Sequence, residues 1–83
     1  MDGFDLEYGL STTNLLEANL NRAMMRSAQK TIVLTDSTKF GRRGFSRICD
    51  IDEVDQVITD SGIPQHILDA LRRRGIEVTV VEL

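Results

Sequence analysis

The sequence predicts an α/β fold: a layered, mostly parallel sheet with helices on its faces. Two helical patterns alternate with short runs of β-branched and apolar residues, an order typical of parallel sheets. The chain has 83 residues, enough for one domain. Its 13 acidic and 10 basic side chains give a formal net charge of -3, which disfavours a surface dedicated to nucleic-acid phosphates.

The first helix is predicted over residues 15–29. Asn14 is a favourable N-cap, and Glu17 stands three residues later, where its side chain can reach back to the cap amide. Apolar residues then recur with helical spacing, which predicts one buried stripe. The stripe consists of Leu16, Leu20, Ala23, Met24 and Ala28.

Three extended segments are predicted between the two helices. Residues 31–35 form a continuous apolar and β-branched run, which predicts a central parallel strand buried on both faces. Residues 45–49 alternate in polarity, and residues 57–59 form another short extended piece. Residues 2–5 resemble the end of a strand whose beginning is missing, so we expect the chain to be a fragment.

The second helix is predicted to begin near Pro64, a residue that suits the first turn. Ile67, Leu68 and Leu71 give it an apolar stripe. Gly75 is a natural C-cap, and the valine-rich residues 76–83 predict a strand close to the edge of the sheet.

Polar residues that could bind a ligand come directly after residues 31–35. Ligands of open α/β sheets bind beyond the carboxyl ends of the strands, where Asp36, Ser37 and Lys39 stand. The ammonium group of Lys39 suits a phosphate. Alternatively, Asp36 and Ser37 only form a turn and Lys39 is solvated, and the residues alone leave both interpretations open.

Other candidate residues each have a structural alternative. Asp2 and Asp5 could accept hydrogen bonds from sugar hydroxyls or could be loop residues, and Glu17 has a role in capping. His66 and Cys49 have no partners for a metal site, so neither a metal nor a cofactor is expected. Cys49 is interpreted as a small buried hydrophobe, and a lone cysteine fits a reducing cytoplasm.

Two basic runs, residues 42–43 and 72–74, could contact nucleic acid but are more typical of solvated faces. No apolar run approaches the roughly 18 residues that a membrane span needs, so no membrane contact is expected.

Six stretches of the sequence together carry a family resemblance. They are Asp2-Gly3-Phe4-Asp5, Gly9-Leu10-Ser11-Thr12-Thr13-Asn14, Glu17-Ala18, Arg22-Ala23-Met24, Asp36-Ser37-Thr38-Lys39-Phe40-Gly41 and Ile58-Thr59-Asp60. In order and spacing they resemble the C-terminal sensor domain of the DeoR family of sugar-operon repressors. The resemblance implies a domain shaped like ribose-5-phosphate isomerase, with residues 1–83 as its C-terminal part.

The resemblance also implies a function. Family members carry a winged helix that binds DNA, which is absent from these residues, and their effector is usually a phosphorylated sugar. On this chain the sugar would fall to Asp2, Asp5 and Glu17, and the phosphate to Lys39. The first strands of the sensor domain and its threonine-rich phosphate loop are also absent, so we expect half of the pocket to be missing.

The resemblance does not favour an enzyme. The related isomerases use a lysine that would stand between Asp5 and Glu17, and no lysine occurs in that interval. We therefore expect the effector-sensing part of a transcriptional repressor, with a fragment of a sugar-phosphate isomerase as the alternative. We also expect a homo-oligomer in the cytoplasm, because a truncated sheet leaves an unpaired edge and apolar surface.

Overall fold

The computed structural model describes residues 1–82. Its elements in chain order are β1 (Gly3–Asp5), β2 (Gly9–Thr12), α1 (Leu15–Ser27), β3 (Ile32–Leu34), β4 (Ser46–Cys49), β5 (Gln56–Asp60), α2 (Gln65–Arg73) and β6 (Glu77–Val81). Strands β1, β2 and β4 form an antiparallel sheet, whereas β3, β5 and β6 form a parallel one. The α/β class is confirmed, but the prediction of one layered, mostly parallel sheet is wrong, because three of the six strands pair antiparallel.

Strand β2 has no counterpart among the predicted elements, because its residues do not form an apolar pattern. It is nevertheless fully buried, including the hydroxyl-bearing Ser11 and Thr12. The Ser11 hydroxyl oxygen accepts a hydrogen bond from the amide of Gly44, and the Thr12 hydroxyl donates to the Asp2 carboxylate. Buried hydroxyls with partners incur little desolvation penalty, so the chain tolerates them inside this sheet.

Phe4 connects β1 with the loop that follows β3. It forms a parallel bridge with Phe40, and the Phe4 carbonyl accepts a hydrogen bond of 2.8 Å from the Gly41 amide. The two rings lie edge to face, with centroids 5.0 Å apart, and both side chains are buried. One hydrophobic cluster therefore spans both sheets.

Strand β5, and not β3, is the centre of the parallel sheet. On one face the sheet buries Val33, Val57 and Val78, which share a register row. The other face is open: Ile32 is 52% exposed and Leu34 is 79% exposed. The prediction that residues 31–35 form a central strand is therefore wrong. An apolar run shows that both faces of a strand favour burial, but it does not show whether the described part of the chain covers both faces.

Helix α1 begins as predicted but buries a different face. Asn14 caps it by accepting a hydrogen bond of 3.1 Å from the Glu17 amide. Its buried residue is Ala18, whose small side chain lets the helix lie close to β2 and β4. The predicted buried stripe is wrong, because Leu16, Leu20 and Met24 are 55–78% exposed; Ala23 and Ala28 are exposed as well.

Helix α2 matches its prediction. The strand predicted over residues 76–83 is found as Glu77–Val81, and Leu83 lies outside the described residues. Ile67 and Leu71 are buried, while Leu68 packs partly buried against the same cluster. Gly75 has φ +80° and ends the helix. The β6 strand that follows forms the other edge of the parallel sheet. Pairing between Gln56–Asp60 and β6 brings the ends of both strands to the same edge.

Candidate ligand-binding site

A hollow of about 450 Å³ lies at the carboxyl end of the parallel sheet. It is lined by Met1, Leu34, Thr35, Asp36, Lys39, Ile58, Thr59, Asp60 and Val81. Its floor is largely apolar, whereas Asp36, Lys39 and Asp60 supply charge at the rim. A mostly apolar hollow with a few convergent polar groups at this edge of a sheet is the usual form of a ligand site in α/β folds.

The loop after β3 presents Asp36, Ser37 and Lys39. The Asp36 carboxylate accepts hydrogen bonds from the Thr38 hydroxyl and, at 2.9 Å, from the Thr38 amide. These bonds and the nearby Lys39 lower the pKa of Asp36, so its carboxylate is ionised at neutral pH. Residues 37–39 form one 3₁₀ turn, closed by the buried Phe40. Asp36 thus shapes the loop, and Lys39 is half-buried at the hollow.

Asp60 belongs to this site, although the sequence analysis did not select it. It ends β5, and its carboxylate accepts hydrogen bonds from the Ser37 amide at 3.0 Å and the Gly62 amide at 2.9 Å. Bonds from the Ser37 side chain, then from these two amides, lower the pKa of Asp60. The loops after β3 and β5 are therefore tied together. An aspartate followed by Ser-Gly directly after a strand was the available signal.

Asp2 directly precedes β1, lies beside the start of α1 and does not line the hollow. Its carboxylate accepts hydrogen bonds from the Thr12 hydroxyl at 2.9 Å, the Thr13 amide at 2.8 Å and the Thr13 hydroxyl at 3.1 Å. The Thr13 amide, followed by the two hydroxyls, lowers the pKa of Asp2. These bonds all involve one carboxylate oxygen, Oδ2, so Oδ1 remains available to a ligand hydroxyl.

Glu17 reaches the hollow only through Met1. Its carboxylate forms an ion pair of 3.3 Å with the amino group of Met1, and Met1 lines the hollow. The expected bond from the Glu17 side chain back to the cap amide is not among those that the structure describes. Only half of the predicted capping box is therefore present, since Asn14 still binds the Glu17 amide.

Asp5 stands apart from the hollow. Its carboxylate accepts hydrogen bonds from the Tyr8 amide at 2.8 Å and the Glu7 amide at 3.0 Å, and Arg43 lies 3.2 Å away. The Tyr8 amide is the largest cause of the lowered pKa of Asp5, with Glu7 and Arg43 adding to it. In this arrangement Asp5 holds the turn between β1 and β2. The structure therefore brings Asp36 and Lys39 together at one hollow, and does not bring Asp5 there.

A larger hollow of about 680 Å³ lies between α1 and β4, near the amino ends of the parallel strands. Several of its charged groups pair with the protein: the Arg22 guanidinium donates to the Arg47 carbonyl, and Arg47 pairs with Asp50. Cys49 also lines it, and burial, then the charge of Glu53, raises the pKa of the thiol to about 11. The thiol is therefore protonated at neutral pH and is no nucleophile there, so the hollow at the carboxyl end is the better candidate.

Among residues 1–82 no helix combines the length and apolarity needed to cross a bilayer. Within the same part of the chain, no group of three or more His, Cys, Asp or Glu side chains is arranged to hold a metal ion.

Comparison with known proteins points to one family. The sequence model of the DeoR C-terminal sensor domain matches residues 1–61. A protein of Escherichia coli O157:H7 described as an aga operon transcriptional repressor is 47% identical over 98% of the chain, and the HTH-type regulators YulB of Bacillus subtilis and GlpR of Haloferax volcanii are each 38% identical over 98%. The chain spans 30–31% of the length of these relatives.

Proposed function

The chain belongs to the DeoR C-terminal sensor domain family, and we propose that it is the effector-sensing part of a transcriptional repressor of sugar metabolism, with a phosphorylated sugar as effector. In this proposal residues 1–83 are the C-terminal part of the sensor domain. DNA is bound through a helix-turn-helix outside these residues, as the names of the relatives YulB and GlpR indicate for those proteins.

The observation that carries the proposal is the position of Lys39 at the hollow beyond the parallel strands. A phosphorylated sugar has an anionic end and several hydroxyls. The Lys39 ammonium suits the phosphate, and the carboxylates of Asp36 and Asp60 have lone pairs left for hydroxyl donors. Asp2, Ser37, Asp5 and Glu17 do not line the hollow and would serve a ligand only after rearrangement.

Regulation requires that the effector bind two states of the protein unequally. The loops after β3 and β5 meet at the hollow, and the second of them leads directly into α2. A ligand held by Lys39 would therefore change the packing of α2 against β6. We propose that this is how occupancy of the hollow is passed to the rest of the repressor, which works in the cytoplasm.

Replacement of Lys39 by alanine is expected to weaken binding of ribose 5-phosphate by about 10-fold or more, because one charge-assisted contact with the phosphate is lost. The affinity is measured by NMR titration of the full chain, following the amides of residues 36–39 and 60–62. Ribose without phosphate should bind weakly to both proteins, since its interaction does not involve the ammonium group.

Lys30→Ala is the matched control, because Lys30 is the other lysine of the chain, is exposed, and lies outside the hollow. It removes the same charge and should leave the affinity unchanged. Equal affinities of the wild type and K39A, or no saturable binding by the wild type, would contradict the proposed site. Isomerisation of ribose 5-phosphate by the chain would favour the isomerase alternative over a sensor.

A homo-oligomer is also proposed, because the described residues leave apolar surface uncovered. Leu16 and Leu20 of α1 and Leu34 of β3 are each 59–79% exposed. Exposed apolar patches of this kind are typical of protein contacts. Sedimentation velocity should show self-association of the wild type at micromolar concentration and less of it for a Leu16→Gln/Leu20→Gln variant. A monomeric, folded wild type would contradict the proposal.

A further inference from the structure

Asp60 lines the hollow at the end of β5 and connects the loop after β3 with the loop after β5. Its Oδ2 atom accepts the Ser37 amide at 3.0 Å, and its Oδ1 atom accepts the Gly62 amide at 2.9 Å. Ser37 begins the single turn that ends with Lys39. The Asp60 carboxylate therefore binds a residue that stands two positions before Lys39. Lys39 is the cation to which the proposed function assigns the phosphate.

The contact between these loops leaves no room for a side chain at position 62, which is a glycine. A Cβ atom at this position would lie 2.4 Å from the Ser37 hydroxyl oxygen and 3.0 Å from Oδ1 of Asp60. Glycine lets the second loop approach Ser37 closely, and Asp60 holds it there. The amide of the buried Ile63 also donates to the Asp60 carbonyl at 3.3 Å. Asp60 thus links the Lys39 turn to the segment that leads into α2.

We infer that Asp60 is a positioning residue: it fixes the Ser37–Lys39 turn so that Lys39 lies at the hollow, without itself needing to touch the phosphate. The inference rests on the proposed function only for what the hollow binds. A turn that is already held in place loses less conformational freedom when a ligand binds. The hydrogen bond from the Ser37 amide to Asp60 therefore raises the affinity for the ligand by preorganisation.

The pH dependence has a defined sign. The pKa of Asp60 in the folded chain is lowered from its ordinary value of 3.8, so the tie is complete above that value and is lost as the pH falls through the folded pKa. Asp36 and Lys39 line the same hollow. The Asp36 carboxylate accepts a hydrogen bond from the Thr38 amide, whereas the Asp60 carboxylate accepts one from the Ser37 amide. The protonation of each carboxylate can therefore be followed through a different amide.

Two measurements on the full chain test the inference. In the first, the amide protons of Ser37 and Gly62 are followed by NMR during acid titration. They should titrate together with the Asp60 carboxyl carbon, below pH 3.8, while the Thr38 amide follows Asp36. In the second, Asp60→Asn should bind ribose 5-phosphate about 10-fold more weakly than the wild type and shift the Lys39 signals in the absence of ligand.

Asp52→Asn is the matched control, because Asp52 is an exposed aspartate on the turn before β5 and should change neither readout. A folded Asp60→Asn variant with wild-type affinity and unshifted Lys39 signals overturns the inference. If this variant does not fold, the wild-type titration decides. Ser37 and Gly62 amide signals that do not change when Asp60 is protonated also overturn the inference. If the wild type binds no ribose 5-phosphate, the proposed function fails, and the titration still decides the role of Asp60.

Discussion

Replacement of Phe4 by alanine is expected to lower the free energy of unfolding by about 3–5 kcal/mol. The side chain is completely buried, and its ring packs edge to face on Phe40 at a centroid distance of 5.0 Å. Truncation removes that contact and leaves a cavity between β1 and the loop after β3. A small domain has only about 5–15 kcal/mol of stability, so a substantial share of it would be lost. Urea unfolding followed by circular dichroism measures the change.

Phe45→Ala provides the comparison, because Phe45 is 88% exposed. It removes the same number of atoms from the chain and should change the free energy of unfolding by no more than about 0.5 kcal/mol. A loss of less than about 1 kcal/mol for Phe4→Ala would mean that this ring does not hold β1 against the loop after β3. Similar losses for both variants would show that phenylalanine truncation acts through the unfolded state.

The caps of the two helices could be predicted because their signals are local. Asn14 caps α1, Gly75 adopts the positive φ that ends α2, and both follow from the chemistry of single residues. The face that α1 buries could not be predicted in this way. The apolar side chains of Leu16 and Leu20 favour burial but are exposed in the described part of the chain. Ala18 is buried instead, since the close approach of α1 to β4 favours a small side chain.

The candidate site was predictable in part for the same reason. Asp36, Ser37 and Lys39 follow a strand, and the carboxyl ends of parallel strands meet at one edge of a sheet. Asp60 was missed because its role depends on contact with a loop 23 residues earlier in the chain. The family resemblance assigned Asp5 to a sugar, and that role stays a prediction. In the structure its carboxylate accepts hydrogen bonds from the amides of Glu7 and Tyr8, two and three residues later, as in a turn.

Replacement of Gly9 by alanine is the second substitution with a large expected effect, about 2–5 kcal/mol of destabilisation. Gly9 has φ +88°, a conformation that costs an L-residue roughly 1–2 kcal/mol. A Cβ atom there would also lie 2.0 Å from the carbonyl oxygen of Cys49, so β2 and β4 would have to separate locally, at a further cost of about 1–3 kcal/mol. Thermal and urea unfolding measure the sum.

Gly75→Ala separates the two contributions, because Gly75 has φ +80° and a Cβ atom there would meet nothing within 4 Å. It should show the backbone cost alone, about 1–2 kcal/mol. The difference between the variants then measures how closely Gly9 must approach Cys49 for the antiparallel sheet to form. Equal destabilisation would mean that β2 and β4 can move apart freely, and that buried Ser11 and Thr12, with their hydrogen bonds, do not hold this register.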